Sequence, residues 1–428
     1  MKIDLKSTNT LNLLLQVFYL LFFTSFIFSF RAISSLSILL ILFTGIIKNR
    51  RKIVSLFNET PFKIFLAGCV LFYLLQFISL IYTHNLHQGW NNIRLKSGLV
   101  AIPLALIISA DMSSAIHKKL SRGYCIILCT ASLYCIGLAF FRYSQNPDSS
   151  LFFYHTLVKP ISQHAVYFSI YLVIALIFLW ENAGKNNFIF RKSFHTIFII
   201  FFSVLIFLLS SKLVIVFYLI YLLYYFIGFI KNKKTNLFVA ISLFIAVMVT
   251  GSLIFITKNP ISERFDEIWS SDINIVRQEK FSPGYYFTGL QFRLLEWKIV
   301  TEILNENSSW LRGVSSGDAQ AFLNQQYISK NMYTGKPGGN SHGFIGYNTH
   351  DEFLQTLLQT GIPGLIILLL ICFSLVKLAW NQKNRGFSFI ILILISYLFS
   401  ESVFETQYGI LLFTFFPLFF FPHKTNKI

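Results

Sequence analysis

The sequence predicts an all-α polytopic membrane protein with about twelve transmembrane helices and one large, partly helical loop. Three observations support this fold class. Of the 428 residues, 55% are hydrophobic and only 13% are charged, whereas about a quarter of the residues of a soluble domain are charged. Apolar runs of membrane-spanning length recur along almost the whole chain. Short basic clusters stand at every second turn between these runs, as expected for a membrane protein.

The apolar runs define twelve predicted spans, two of which are short and require tilt or local thinning of the bilayer. The predicted limits of the spans are 11–29, 32–47, 62–82, 98–111, 123–142, 163–181, 194–210, 213–230, 237–256, 352–377, 387–401 and 408–422. The chain therefore divides into nine spans within residues 1–256, a loop over 257–350, and three spans within 351–428.

The placement of the basic residues predicts the orientation. With the N-terminus in the cytoplasm, 21 of the 36 Lys and Arg residues lie in short cytoplasmic segments, six in short outer segments and nine in the loop 257–350. Long loops translocate largely regardless of charge, so the bias that counts is 21 to 6. An even number of spans returns the C-terminus to the cytoplasm. The net charge of +18 thus indicates membrane lipids, and not nucleic acid, as its partner.

The long loop has a different composition from the short turns. It carries nine basic and nine acidic residues. Apolar residues recur at helical spacing between 289 and 305, which predicts an amphipathic helix; they are Phe292, Leu295, Ile299, Ile303 and Leu304. The stretch 333–347 is rich in Gly, Asn and Ser and is predicted to be irregular. A loop of this length is usually functional.

Seven ionisable residues are predicted to lie on the outer side, at the ends of spans or on the loop helix. Polar groups near membrane depth are costly and mark functional sites. Together these residues offer cations for a phosphate-bearing ligand and a base for a hydroxyl nucleophile. The seven are His164, Lys212, Arg293, His350, Asp351, Glu401 and Glu405.

One motif stands where the long loop returns to the membrane. His350-Asp351 is followed by nine residues and then by Gly361-Ile362-Pro363-Gly364. This resembles the signature of the O-antigen ligase and O-antigen polymerase superfamily, which is a His, a small polar residue, nine residues and Gly-x-x-Gly. Asp351 departs from the Asn, Ser or Gln that is usual there, which bears on hydrogen bonding beside the histidine.

Four further segments resemble the same family, and with them the motif agreement is dense from about residue 210 onward. They are the outer turn Ser210-Ser211-Lys212-Leu213, the loop-helix opening Arg293-Leu294-Leu295-Glu296-Trp297, the following Arg312-Gly313-Val314, and the closing stretch from Glu401 to Gly409. The topology resembles that of the family along the whole chain.

The resemblance implies a glycosyltransferase of the bacterial inner membrane that works on the periplasmic face. The donor is a glycan on undecaprenyl diphosphate, and the acceptor is a sugar hydroxyl, on lipid A–core in a ligase. In this scheme His350 accepts the hydroxyl proton, and Lys212 and Arg293 neutralise the departing phosphate. Binding of substrate falls to the remaining candidates, Asp351, His164, Glu401 and Glu405. The anomeric centre is inverted.

The sequence predicts neither a metal nor another cofactor. The first outer turn, residues 29–31, lacks the carboxylates that a metal-dependent enzyme of this kind needs. The five cysteines all fall in apolar runs and indicate buried small side chains, not a metal knuckle or a disulfide framework.

Each candidate also has a simpler structural explanation. His350 could cap a helix, and Lys212 could anchor the protein to phospholipid. Arg293 could pair with Glu296 on its own helix. The two glutamates of the last outer turn could pair with a Lys or Arg from a neighbouring element.

Alternative functions also remain open. A polymerase of lipid-linked glycan and a protein O-glycosylating relative share the motif, so the sequence separates them poorly from a ligase. A polysaccharide transporter or flippase belongs to another class. A transporter of that kind is expected to show internal repeats and polar groups at mid-membrane, and neither is evident here.

Overall fold

The computed structural model describes residues 8–110, 112–183, 190–232, 272–335 and 342–421, together with Ser262 and Asp266, and these residues form helices without strands. The helices are α1 (Thr8–Ile27), α2 (Arg31–Asn49), α3 (Ile53–Glu59), α4 (Lys63–Ile78), α5 (Leu86–Lys96), α6 (Gly98–Ser109), α7 (Ser114–Gln145), α8 (Tyr154–Val158), α9 (Ala165–Ala183), α10 (Lys192–Leu208), α11 (Lys212–Asn232), α12 (Gly289–Glu306), α13 (Ala319–Ser329), α14 (Glu352–Gln382), α15 (Arg385–Leu398) and α16 (Gln407–Phe419).

The predicted all-α membrane architecture is confirmed. Within the described residues, seven helical stretches are long and apolar enough to cross a membrane, and four shorter apolar helices accompany them. These eleven correspond to the predicted spans, apart from 237–256, which lies outside the described residues. The main differences are in length. Helix α7 is 32 residues long, well beyond the predicted limits 123–142.

The short predicted span 98–111 is extended by a helix that the apolar pattern did not reveal. Helices α5 and α6 together make a stretch of 24 residues, Leu86–Ser109. Helix α5 is polar, and its N-cap Asn85 accepts a hydrogen bond from the Gln88 amide (3.0 Å). Its buried residues include Asn92 and Lys96. Helix α5 therefore places polar groups inside the protein at one end of the bundle.

Aromatic side chains fill the centre of the bundle. Phe22 and Phe26 of α1 have ring centroids 5.2 Å apart, and Phe22 lies 4.9 Å from Phe415 of α16. Phe26 also contacts Tyr171 of α9 edge to face, at 5.1 Å. Large apolar side chains on the outer surface are exposed, among them Phe373, which is 63% exposed. An apolar surface of this extent is typical of a protein that contacts lipid.

The loop helix predicted over 289–305 is confirmed as α12. A capping box at Thr288 and Gln291 begins it, and the Thr288 amide donates to Gln291 Oε1 at 2.9 Å. All five apolar residues predicted at helical spacing are buried. They share a separate hydrophobic core with Leu323 and Tyr327 of α13, a second loop helix that was not predicted.

The loop is attached to the bundle beside α5. Asp318, at the start of α13, accepts hydrogen bonds from the backbone amides of His84 and Asn85, each at 2.8 Å. Asn92 donates through Nδ2 to the Ser316 carbonyl (2.7 Å). These contacts fix the loop to the end of the bundle at which α4 finishes and α14 begins, called here the loop end.

A second attachment explains two glycines of the sequence motifs. The Val314 amide donates to the Leu358 carbonyl of α14 at 2.8 Å. Gly313 and Gly361 have φ values of +70° and +67°, which favour glycine. A Cβ at Gly313 would lie 2.5 Å from the Gln359 carbonyl carbon, and one at Gly361 would lie 2.5 Å from the Leu311 carbonyl. The loop backbone thus crosses α14 so closely that both positions require glycine, and α14 is kinked at Gly361.

Candidate active site

The centre of the site is a histidine–carboxylate pair at the loop end. His350 Nδ1 lies 3.0 Å from Glu401 Oε2. His350 has φ of +46°, and its amide donates to Asn348 Oδ1 at 3.0 Å. The two side chains are 31% and 21% exposed. The pair is therefore accessible to a substrate while partly removed from water.

Aromatic rings from the loop surround the imidazole. Phe292 of α12 contacts it edge to face, with ring centroids 5.7 Å apart, and Tyr347 does so at 5.8 Å. Phe344 in turn stacks on Phe292 at 5.3 Å. These contacts restrict the orientation of the imidazole, so the loop takes part in positioning the predicted base.

Arg293 joins the loop to the turn that carries Glu401. Its Nε and Nη2 donate to the Ser400 carbonyl at 3.2 and 2.8 Å, and Nη1 donates to the Gly289 carbonyl at 3.0 Å. A guanidinium has five N–H donors, so two remain for an anion. The alternative pairing with Glu296 does not occur, because Glu296 is fully buried while Arg293 is directed toward Ser400.

Three neighbouring side chains influence the pKa of Glu401. Burial tends to raise the pKa of this carboxyl group, but the hydrogen bond from His350 and the charges of His350, His164 and Arg293 lower it below the ordinary value. Glu401 is thus ionised at neutral pH. The structure therefore brings together four of the seven predicted residues, namely His350, Glu401, Arg293 and His164.

Asp351 has a local role beside the histidine. Its Oδ1 accepts hydrogen bonds from the backbone amides of Phe353 (2.8 Å) and Leu354 (3.1 Å), so it is the N-cap of α14. Burial raises its pKa, against the effect of those two hydrogen bonds and of Arg293. Asn and Ser side chains can make the same cap. Asp351, and not His350, caps the helix.

Glu405 is engaged by a residue that the sequence analysis missed. Its Oε1 lies 2.9 Å from Lys96 Nζ and accepts a hydrogen bond from Gln359 Nε2 at 3.0 Å. Lys96 is fully buried. Glu405 thus forms the ion pair with a cation of a neighbouring element that the sequence analysis gave as its structural explanation. A lysine inside a polar stretch gives no apolar periodicity, so no sequence signal identified Lys96.

Lys212 is the first residue of α11, and its height in the bundle follows from the contacts of that helix. Tyr224 of α11 lies beneath the Arg385 guanidinium (5.2 Å from the ring centroid) at the beginning of α15. Lys212 precedes Tyr224 by twelve residues, or about 18 Å of helix. Helix α15 runs antiparallel to α11, and it ends near Glu401 after a similar rise from Arg385. Lys212 therefore lies at the loop end.

Other features lie away from this cluster. A cavity of about 450 Å³ between α1, α2, α5, α6 and α16 is lined by apolar side chains and by polar ones that include Asn91, Arg94 and Gln407, and none of the seven residues lines it. In the described part of the chain, no group of three or more His, Cys, Asp or Glu side chains suits a metal ion. The five cysteines are free, and four are buried.

Glu296 makes the stability of the protein depend on pH. Burial raises its pKa to about 8, although the Tyr327 hydroxyl acts in the opposite direction. That hydroxyl donates to the Tyr347 carbonyl (3.1 Å), so neither Glu296 oxygen has a well-formed hydrogen bond among the described residues. At neutral pH the folded protein therefore keeps Glu296 protonated.

We expect Glu296→Gln to stabilise the loop at alkaline pH. A carboxyl group with a raised pKa binds more protons when folded, so stability falls as pH rises from about 4.5 toward 8, by up to roughly 1.4 kcal/mol per unit. Thermal unfolding of the two proteins between pH 5 and 8 measures this. The wild-type Tm should fall more steeply than that of the variant. Parallel curves would contradict a protonated Glu296. Glu302→Gln, which removes a carboxylate paired with Lys330 (2.6 Å), is a control.

Residues 197–369 match the model of a family described as O-antigen ligase. The matched segment contains Lys212, Arg293, His350 and Asp351. No curated protein matches the chain significantly. The resemblance found in the sequence is confirmed over residues 197–369, which are similar to the O-antigen ligase family.

Proposed function

We propose that the protein transfers a glycan from undecaprenyl diphosphate to a sugar hydroxyl of lipid A–core, on the periplasmic face of the bacterial inner membrane. The observation that carries this proposal is the His350–Glu401 pair at 3.0 Å with Arg293 attached to the neighbouring Ser400 carbonyl. The family match supports activity of the O-antigen ligase or polymerase type. The donor, the acceptor and the membrane face are part of the proposal.

The pair provides a general base. Ionised Glu401 accepts a hydrogen bond from His350 Nδ1–H and so leaves Nε2 as the basic nitrogen. Nε2 takes the proton of the acceptor hydroxyl while that oxygen attacks the anomeric carbon. The bond from the anomeric carbon to the diphosphate oxygen breaks, and its electron pair leaves with the diphosphate. Attack opposite to the leaving group inverts the anomeric centre.

Cations offset the charge on the leaving group. Two N–H donors of Arg293 remain after its three hydrogen bonds to carbonyls, and they are suited to a phosphate oxygen. Lys212, at the loop end of α11, supplies a second charge. Diphosphate is a good leaving group, so these two cations replace both a general acid and a metal ion. The reaction uses no cofactor.

The other predicted residues bind substrate or hold the site together. His164 lies close enough to influence the pKa of Glu401, and we assign it to binding of a substrate held there. Asp351 and Glu405 hold protein groups through the α14 cap and through Lys96. We therefore assign Asp351 and Glu405 an indirect role in substrate binding, in which they position the protein groups that they contact.

Transfer in oriented vesicles tests the proposal. Right-side-out inner-membrane vesicles that carry the lipid-linked donor in their outer leaflet and receive lipid A–core from outside should form glycosylated lipid A–core in excess chelator. Vesicles without the protein are the control. Transfer confined to inverted vesicles would contradict the orientation. Loss of transfer on chelation, restored by Mn²⁺, would contradict metal independence.

A further inference from the structure

We propose that Lys96 is a positioning residue for this reaction, which holds the turn 399–406 so that Glu401 meets His350. This inference rests on the proposed function. Lys96 lies in α5, far from His350 in sequence and outside the segment 197–369 that matches the family model. It acts on the reaction through Glu405 and not by contact with a substrate.

The ammonium group of Lys96 is fully coordinated. Its Nζ lies 2.9 Å from Glu405 Oε1, 2.5 Å from Gln359 Oε1 and 3.4 Å from Gln76 Oε1. An ammonium has three N–H donors, and three oxygens accept them. Those oxygens belong to the turn before α16, to α14 and to α4. One buried charge thus joins three elements at the loop end.

These are the elements that hold the catalytic pair. Glu405 is four residues after Glu401 in the same turn, and Gln359 lies on α14, which begins directly after His350 and Asp351. The turn is held at other points as well: Arg293 binds the Ser400 carbonyl, and Glu352 accepts from the Phe404 amide at 2.7 Å. Lys96 anchors a different part of the turn, at Glu405.

The loop in turn positions Lys96. Helix α5 is attached to the loop through Asn92, which donates to the Ser316 carbonyl (2.7 Å), and through Asp318 at its beginning. Asn92 and Lys96 are one helical turn apart, so they lie on the same face of α5. Docking of the loop therefore fixes Lys96 beneath the turn that carries Glu401.

Stability alone is a weak reason for this arrangement. A buried ion pair can often be replaced by apolar side chains without loss of stability, whereas removal of one partner leaves an unpaired buried charge. A structural role and a positioning role therefore make different predictions for a double substitution. If the pair only avoids an unpaired charge, neutralising both partners restores activity. If the pair positions the turn, activity stays low.

The experiment compares Lys96→Met, the double variant Lys96→Met/Glu405→Gln and the control Lys330→Met, all as full-length purified protein. Lys330 is 5% exposed and paired with Glu302 (2.6 Å) in the loop, so it matches Lys96 in burial and pairing. Amide hydrogen exchange of residues 399–406 reports directly on the turn. Glycan transfer gives kcat and the KM for the donor.

We expect amides of 399–406 to exchange at least about tenfold faster in both Lys96 variants than in the wild type. Their kcat should fall by about 10- to 100-fold with little change in KM, because a displacement of about 1 Å can cost this much. Lys330→Met should retain the wild-type exchange of 399–406 and the wild-type kcat. If Lys96→Met folds poorly, the double variant still tests the proposal, because it leaves neither charge of the pair buried without a partner.

Unchanged exchange of 399–406 in the Lys96 variants would overturn the proposal, and so would wild-type kcat in the double variant. Failure of the proposed function is a separate outcome. Wild-type protein that transfers no glycan to any acceptor would exclude the reaction, while faster exchange in the variants would still show that Lys96 holds the turn.

Discussion

Replacing His350 with alanine is expected to lower kcat by about 10²- to 10⁴-fold, the usual contribution of a general base. The imidazole is partly exposed and makes edge contacts with Phe292 and Tyr347, so its loss should leave the fold intact. The measurement is the rate of glycan transfer by purified protein, with Tm as a check on folding. Residual activity above about a tenth of the wild type would mean that another group accepts the proton.

Two matched variants sharpen this test. Glu401→Gln replaces the carboxylate with an amide that can donate to Nδ1 and thus select the wrong tautomer, so a loss similar to that of His350→Ala is expected. His84→Ala is the control, because His84 also lies near a carboxylate, Asp318 (3.2 Å), but is 93% exposed. Wild-type activity in Glu401→Gln would exclude an orienting role for this residue.

The sequence was sufficient to predict most of the spans because lipid requires long apolar runs, and such runs are visible without tertiary context. Helix α5 was missed for the opposite reason. Its polar residues are buried through contacts with the loop, such as Asn92 with the Ser316 carbonyl, and no local pattern records a partner more than 200 residues away. The two glycines at the crossing of loop and α14 show the same limit, since only the fold gives their reason.

The candidate site was predicted in part. His350 of the motif and Arg293 of the loop helix are predicted site residues because their types suit the chemistry. Glu401 and Ser400, which contact these two residues, follow the end of α15. Sequence periodicity does not reveal that the Ser400 carbonyl accepts a hydrogen bond from Arg293. Asp351 is predicted to bind substrate, and its position before α14 is also typical of an N-cap. Lys96 gave no signal, because its acidic partner Glu405 and the two glutamines that accept its hydrogen bonds all lie on other elements.

The remaining question is whether the acceptor is lipid A–core or a growing lipid-linked glycan, because the proposed base and cations serve both reactions equally. The two reactions can be distinguished by the glycans that accumulate when the enzyme is lost. Loss of a ligase strands finished chains on undecaprenyl diphosphate, whereas loss of a polymerase still allows a single repeat unit to reach the core.

We therefore expect deletion of the gene to give lipid A–core without any attached repeat, together with accumulated long polymer on the lipid carrier. Gel analysis of lipopolysaccharide and extraction of the lipid-linked pool measure the two products. Complementation with His350→Ala at wild-type protein level should reproduce the deletion pattern, because the imidazole is assigned to proton removal and not to folding, while His84→Ala should restore attached chains. Core bearing one repeat would identify a polymerase. Unchanged lipopolysaccharide with altered glycoproteins or exopolysaccharide would place the acceptor elsewhere and leave the chemistry of the His350–Glu401 pair as proposed.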